Sequence, residues 1–104
     1  MRTLTLVVFI LLTSIPPLQA QTPYYQGKTI TVLVGTVSGD LYDLYARAIA
    51  LYMGKYIPGN PNIIVQNMPG AGQMIAANYI YNVAKPDGLT IAAINAGLYF
   101  EQLI

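Results

Sequence analysis

Gly27-Lys28-Thr29-Ile30-Thr31-Val32-Leu33-Val34-Gly35 is the stretch that decides the fold class. From Thr29 to Val34 the side chains are β-branched or aliphatic without a break, and a glycine stands at each boundary. A strand with one face in water alternates apolar and polar residues. A continuous run of this kind reads instead as a strand buried on both faces, as in parallel sheets covered by helices.

Downstream the period changes. Leu41, Leu44, Tyr45, Ala48, Leu51 and Tyr52 recur at helical spacing, and Asp43 precedes Arg47 by one turn in the favourable order. The spacing predicts an amphipathic helix over 41–56, stopped before Pro58. Pro58-Gly59-Asn60-Pro61 is a turn cluster, and Ile63-Ile64-Val65 reads as a second short buried strand. After the loop Asn67 to Gly72, a second helix is predicted over 73–84, with Ala76, Ala77, Ile80 and Val83 on one stripe. Lys85-Pro86-Asp87-Gly88 suits a type I turn, and Thr90 to Ile94 reads as a third strand. Strand centres about 30 residues apart match the βαβ unit, and right-handed crossovers make the three strands parallel. The expected class is therefore α/β with a parallel βαβαβ unit.

Residues 1–20 read as a signal peptide: Arg2, an apolar run from Leu4 to Leu12, the breakers Pro16-Pro17 and a small residue at Ala20. The apolar run is broken by Thr13 and Ser14 before it reaches the roughly 20 residues of a membrane-spanning helix. Cleavage after Ala20 predicts a periplasmic chain of residues 21–104. It also removes Arg2, leaving Lys28, Arg47, Lys55 and Lys85 against Asp40, Asp43, Asp87 and Glu101. A formally neutral chain with scattered charges has no footprint for a phosphate backbone and no basic helix face for anionic lipid, so no nucleic-acid partner is expected. With no cysteine and no histidine, the usual zinc ligands, thiol nucleophiles and commonest general base are missing. The expectation is a non-enzyme without a cofactor. Because Leu98 to Ile104 opens a new apolar segment without a cap or polar tail, the chain is also expected to be a fragment or a truncated reading frame.

In open parallel sheets a ligand sits outside the carboxyl ends of the strands. Here the corresponding loops are Gly35 to Asp40, Asn67 to Gln73 and Asn95 to Gly97, each containing glycine. Glycine admits close backbone approach, and unpaired N–H groups at a helix start favour an anion. The physical expectation is a small carboxylate held largely by backbone donors. Several of these residues also have simpler uses. Ser38 or Asp40 suits the cap of the first helix, Tyr42 and Tyr45 stand at packing spacing, and Asp43 suits a surface pair with Arg47. Two enzyme readings compete. Gly70-Ala71-Gly72, between a strand and a helix, mimics a dinucleotide fingerprint, but the third strand ends at Asn95 with no acidic residue there to hold a ribose. Gly35-Thr36-Val37-Ser38-Gly39 is not a nucleophile elbow, and no histidine exists to activate Ser38.

Three pieces carry a family resemblance: Gly27 to Val34; Tyr42-Asp43-Leu44-Tyr45-Ala46-Arg47; and Ile57-Pro58-Gly59-Asn60-Pro61 through Val65-Gln66-Asn67-Met68-Pro69-Gly70-Ala71-Gly72. Ala76 to Ala84 and Pro86-Asp87-Gly88 continue it. From Tyr25 to about Leu103 the chain resembles the N-terminal part of the tripartite tricarboxylate transporter substrate-binding proteins, the Bug-type periplasmic receptors. The resemblance implies one incomplete lobe of a type II periplasmic binding protein fold, with the second lobe missing. It also implies a small carboxylate ligand and a membrane permease as partner. Carried over by motif, the ligand-binding residues are Val37, Ser38, Gly39, Tyr42 and Asp43, then Pro69, Gly70, Ala71, Gly72 and Gln73. The loop after the third strand adds Asn95. Where the family places a run of glycines in its first loop, this chain has Ser38-Gly39-Asp40-Leu41. The Asp40 carboxylate is expected either to repel an anion or to cap the helix. The competing reading is a truncated, non-binding fragment whose exposed strand edges and apolar face drive association.

Overall fold

Thr29–Val34 forms strand β1, the middle strand of a three-stranded parallel sheet of order β2-β1-β3. The computed structural model describes residues 21–98, so the signal peptide assigned to 1–20 and the apolar segment at 99–104 lie outside the described residues. The remaining elements are helix α1 (Leu41–Tyr56), strand β2 (Asn62–Asn67), a short turn of helix at Ala71–Gln73, helix α2 (Met74–Asn82) and strand β3 (Thr90–Ala93). The α/β class and the parallel sheet expected from the sequence are present. None of the described helices is long and apolar enough to cross a membrane.

Cover on both faces explains why β1 reads as a continuous apolar run, and its two edges are paired. Val32 lies beside Val65 and Ile91, and Val34 beside Asn67 and Ala93. The chain steps from β1 to β2 on one side and then back past β1 to β3. Two right-handed crossovers in opposite directions put α1 and α2 on opposite faces of the sheet. Val32 and Val34 pack with Ala46 of α1, flanked by Tyr42, Met53, Ile63, Val65 and Ala93. Leu33 points the other way and is just 1% exposed, on the face where Ala76 of α2 is fully buried. Away from the carboxyl ends, the Tyr24 and Tyr25 hydroxyls donate to the Asp87 and Gly88 carbonyls at 2.7 and 3.4 Å, anchoring the turn before β3.

The structure corrects the sequence reading at β2, α2 and α1, and β3 ends at Ala93 rather than Ile94. β2 is longer than Ile63 to Val65 and is not buried: as an edge strand it is half covered at Ile63, Val65 and Asn67 and exposed at the alternate positions. α2 ends at Asn82, where Val83 and Ala84 both donate to the Tyr79 carbonyl, and Val83 is exposed. The largest correction concerns α1. The predicted stripe of Leu41, Leu44, Tyr45, Ala48, Leu51 and Tyr52 faces outward, and the covered face is Tyr42, Asp43, Ala46, Ala50 and Met53. Tyr45 is therefore not a packing residue, whereas Tyr42 is. Residues 41–53 are apolar nearly all round, so periodicity alone does not select a face. Small residues at 46 and 50 let the helix approach the sheet, and Asp43 finds its partners only on that side.

Two truncations separate the alternatives. Leu33→Ala should lower the unfolding free energy by about 2–5 kcal/mol, the range for a large side chain removed from a packed core. Leu51→Ala, at a side chain 72% exposed, should stay within about 0.5 kcal/mol. Urea unfolding of both variants measures this, and comparable losses would return α1 to the stripe read from periodicity.

Candidate functional site

The carboxyl edge of the sheet is where α1 and α2 leave on opposite faces, which makes it the topological switch point. Sheet pairing persists just past β1, with Gly35 N–H donating to the Ala93 carbonyl at 3.2 Å and Met68 N–H to the Val34 carbonyl at 2.8 Å. Beyond Gly35 the chain lifts into an exposed crest of Val37, Ser38, Gly39 and Asp40. Asp40 occupies the N-cap of α1 with extended backbone but makes no side-chain capping bond. Asp43, one turn inside the helix, reaches back instead, and its Oδ2 accepts the Gly39 N–H at 2.8 Å. The first helical bond runs from Leu44 N–H to the Asp40 carbonyl, so the N–H groups of Leu41, Tyr42 and Asp43 lie outside the helical ladder.

Asp43 is not a surface residue: it is paired with Arg47 as expected, but only 1% of it is exposed. Its Oδ2 also accepts Arg47 Nε at 2.9 Å, and its Oδ1 accepts Asn67 Nδ2 at 2.9 Å. The same Asn67 nitrogen donates to the Thr36 carbonyl at 3.0 Å, and Asn67 Oδ1 accepts from Arg47 Nη2 at 3.1 Å. The Arg47 guanidinium, then the Gly39 N–H and the Asn67 amide, hold the Asp43 carboxyl far below the usual carboxylate range, outweighing its desolvation. Asp43 in turn raises Arg47 above its ordinary value. The Thr36 hydroxyl beside this network is buried without a hydrogen-bond partner among the described residues.

The second loop is built from left-handed backbone. Gly70, Ala71, Gly72 and Gln73 have φ of 139, 45, 58 and 78° in succession. The Gly70 backbone requires glycine, and a side chain there would also have to displace the tip of the half-exposed Ile75. Ala71 and Gln73 adopt the same region without that freedom, each at about 1–3 kcal/mol of local strain, which persists only where the surroundings hold it. What holds Gln73 is visible. Its Oε1 accepts the Asn95 N–H at 2.7 Å, and its Cβ lies 2.7 Å from where a Cβ on Gly35 would stand. Asn95 Oδ1 in turn accepts the Gly97 N–H at 2.8 Å. The three loops are thus joined, the first to the second through Asn67 and the second to the third through Gln73.

Of the residues expected to bind ligand, Val37, Ser38, Gly39, Pro69, Ala71, Gly72 and Asn95 are exposed along this edge, while Gly70 and Gln73 are partly covered. Tyr42 packs against the core, and Asp43 lies beneath the loop with both oxygens engaged. Sequence reasoning paired Arg47 with Asp43 but missed Thr36 and Asn67 as parts of the arrangement. The one signal for the arrangement was the four-residue spacing of Asp43 and Arg47. An open groove of about 720 Å³ borders the Gln73–Asn95 contact, lined by Met74, Ala77, Ile80, Tyr81, Ile94 and Leu98 among others. Among the described residues, no cluster of three or more acidic, histidine or cysteine side chains is placed to hold a metal ion.

The chain is similar to two curated proteins. It is 36% identical over 104 residues to a UPF0065 protein of Bordetella bronchiseptica, covering 99% of this chain and 30% of that protein. It is 34% identical over 83 residues to a UPF0065 protein of Cupriavidus necator, covering 80% of this chain and 24% of that protein. The chain therefore spans less than a third of the length of these relatives. No family model matches the chain, and no solved structure matches it.

The Asp43 carboxylate gives a test with a definite sign. A carboxyl whose folded pKa is depressed contributes stability in full above its unfolded value, about 3.9, and loses it as the pH falls through the folded value. Asp43→Asn should lower the urea midpoint by an amount that is level between about pH 8 and pH 5 and narrows below about pH 4. A gap that stays constant into strong acid would mean that the carboxylate is not held by these partners.

Proposed function

We propose that this chain is the N-terminal part of lobe one of an extracytoplasmic solute receptor, of the kind that serves tripartite tricarboxylate uptake. It holds a small organic carboxylate on backbone donors of the loops after β1 and β2. The observation that carries the reading is the joined edge: three glycine-containing loops linked by Asn67 and Gln73 at the switch point, with the N-terminus of a 16-residue helix opening onto it. UPF0065 is the family of the Bug-type receptors, and identities of 36% and 34% to two of its members support the assignment at that level. In this reading residues 1–20 export the chain to the periplasm, a membrane permease receives the solute, and no reaction is catalysed.

Asp40 bears on the choice of solute. Its carboxylate is exposed and makes no cap bond, so it stands beside the helix end that would attract the ligand, and its repulsion grows with ligand charge.

A second reading has its own observation. Tyr45, Ile49, Tyr52 and Tyr56 form an exposed apolar stripe along α1, and among the described residues β2 and β3 each have one unpaired edge. Exposed edges and apolar stripes favour association.

Thermal unfolding of the purified chain with mono-, di- and tricarboxylates and neutral controls tests the first reading, because a ligand that binds only the folded state raises the midpoint. A carboxylate at a hundred times its Kd adds about 2.7 kcal/mol, and the neutral controls should add nothing. If no carboxylate moves the midpoint while sedimentation shows concentration-dependent oligomers, the association reading replaces it.

A further inference from the structure

We propose that Asn67 is a positioning residue: its carboxamide fixes the Val37 to Gly39 segment in the ligand-ready form without touching the ligand. The inference rests on the carboxylate-receptor reading above and assigns a role that the family resemblance does not supply. The segment is held at both ends by one polar assembly. At its start, the Thr36 carbonyl accepts from Asn67 Nδ2. At its end, the Gly39 N–H donates to Asp43 Oδ2, whose other oxygen accepts from the same Asn67 nitrogen. The third position of the carboxamide, Oδ1, accepts from Arg47 Nη2. Two donors and one acceptor in a single plane are therefore all engaged, and an asparagine supplies that set where an aspartate does not.

The position follows from the fold. Asn67 is the last residue of β2 and lies in register with Val34, the last residue of β1, so its side chain rises on the α1 face directly under the first loop. Asp43 and Arg47 are the ionisable groups facing it, both from α1; Thr36 and Gly39 of the loop and Val34 and Val65 of the sheet are uncharged. Between the two anchor points, Val37 and Ser38 are exposed, and the one local backbone bond runs from Asp40 N–H to the Val37 carbonyl at 3.3 Å. What the loop presents to a ligand thus depends on anchors the ligand does not meet.

Asn67→Asp is the decisive variant. It removes both donors and sets a second carboxylate against Asp43. Two carboxylates sharing one site cannot both ionise freely, so one takes up a proton at mildly acidic pH and regains an O–H donor. Succinate affinity, measured by titration calorimetry on the purified chain, should be about tenfold weaker than wild type at about pH 7.5 and within about threefold at about pH 5. Taking the variant-to-wild-type ratio at each pH cancels the titration of succinate itself. If the variant's thermal midpoint recovers with acid but its affinity ratio does not, Asn67 is merely structural and the proposal fails. Wild-type affinity in the variant at both pH values also overturns it. A wild-type chain that binds no succinate overturns the receptor reading itself and this inference with it. Should Asn67→Asp not fold, Arg47→Lys keeps the charge but not the fork that reaches Asn67. Affinity weakened about threefold or more supports the proposal, and unchanged affinity overturns it.

Discussion

The described fold is referred to β1, because among the described residues that strand alone has a neighbour on each edge and a helix on each face. Val34 is fully buried, and beyond the still-paired Gly35 the chain leaves the sheet. Where β1 ends is therefore where the first loop begins. The register with β2 and β3 then fixes which residues of those strands stand beside it. A slip of one residue in β1 would turn its side chains to the opposite faces and carry Gly35 away from Gln73. The apolar run and the loop edge are consequences of the same placement.

The chemistry at that edge is polar and internally satisfied. A buried carboxylate without partners is costly, and one with partners is at best weak support for stability. Asp43 has an ion pair, a backbone N–H and a carboxamide, so the penalty is met. An apolar residue at this position would need no such partners, but it would leave Gly39 N–H, Arg47 and Asn67 without their acceptor. The second loop follows the same logic through different means. Its strained left-handed residues are held by the Gln73–Asn95 bond and by the missing side chain at Gly35, so a polar contact and a packing constraint reinforce each other.

Much of this was legible in the sequence, and the limits have physical causes. β1 declared itself because burial on both faces leaves an uninterrupted aliphatic signature. The helix order followed from period and punctuation, and Gly70 and Gly72 marked a loop that does need positive φ. The covered face of α1 was not legible. With Tyr42, Leu44, Tyr45, Ala46, Ile49, Leu51, Tyr52 and Met53 all apolar, the deciding residue is the one charged side chain that the helix buries, and apolar periodicity is blind to it. Asn67 was hidden for a related reason: its role depends on a parallel register that brings it level with Val34, and no local pattern reports register. Gln73 was placed on the ligand edge by motif, but its left-handed conformation was not legible, because glutamine carries no mark of one.

The two functional readings draw on different parts of the surface, and this decides how they relate. The loop edge lies at the N-terminal end of α1, whereas the outward stripe runs down the helix, so Tyr56 sits about 16 Å further from the loops than Tyr45 at the ordinary rise per residue. Burying Tyr45, Ile49, Tyr52 and Tyr56 under a partner leaves Val37 to Gly39 and Ala71 to Gly72 open to solvent. Apolar burial of that stripe would stabilise α1, and α1 is the element that carries Asp43 and Arg47 to Asn67. Covering the stripe would therefore support the helix that carries the first loop's anchors while leaving the loops themselves open, so what separates the two readings is whether that open edge binds a carboxylate.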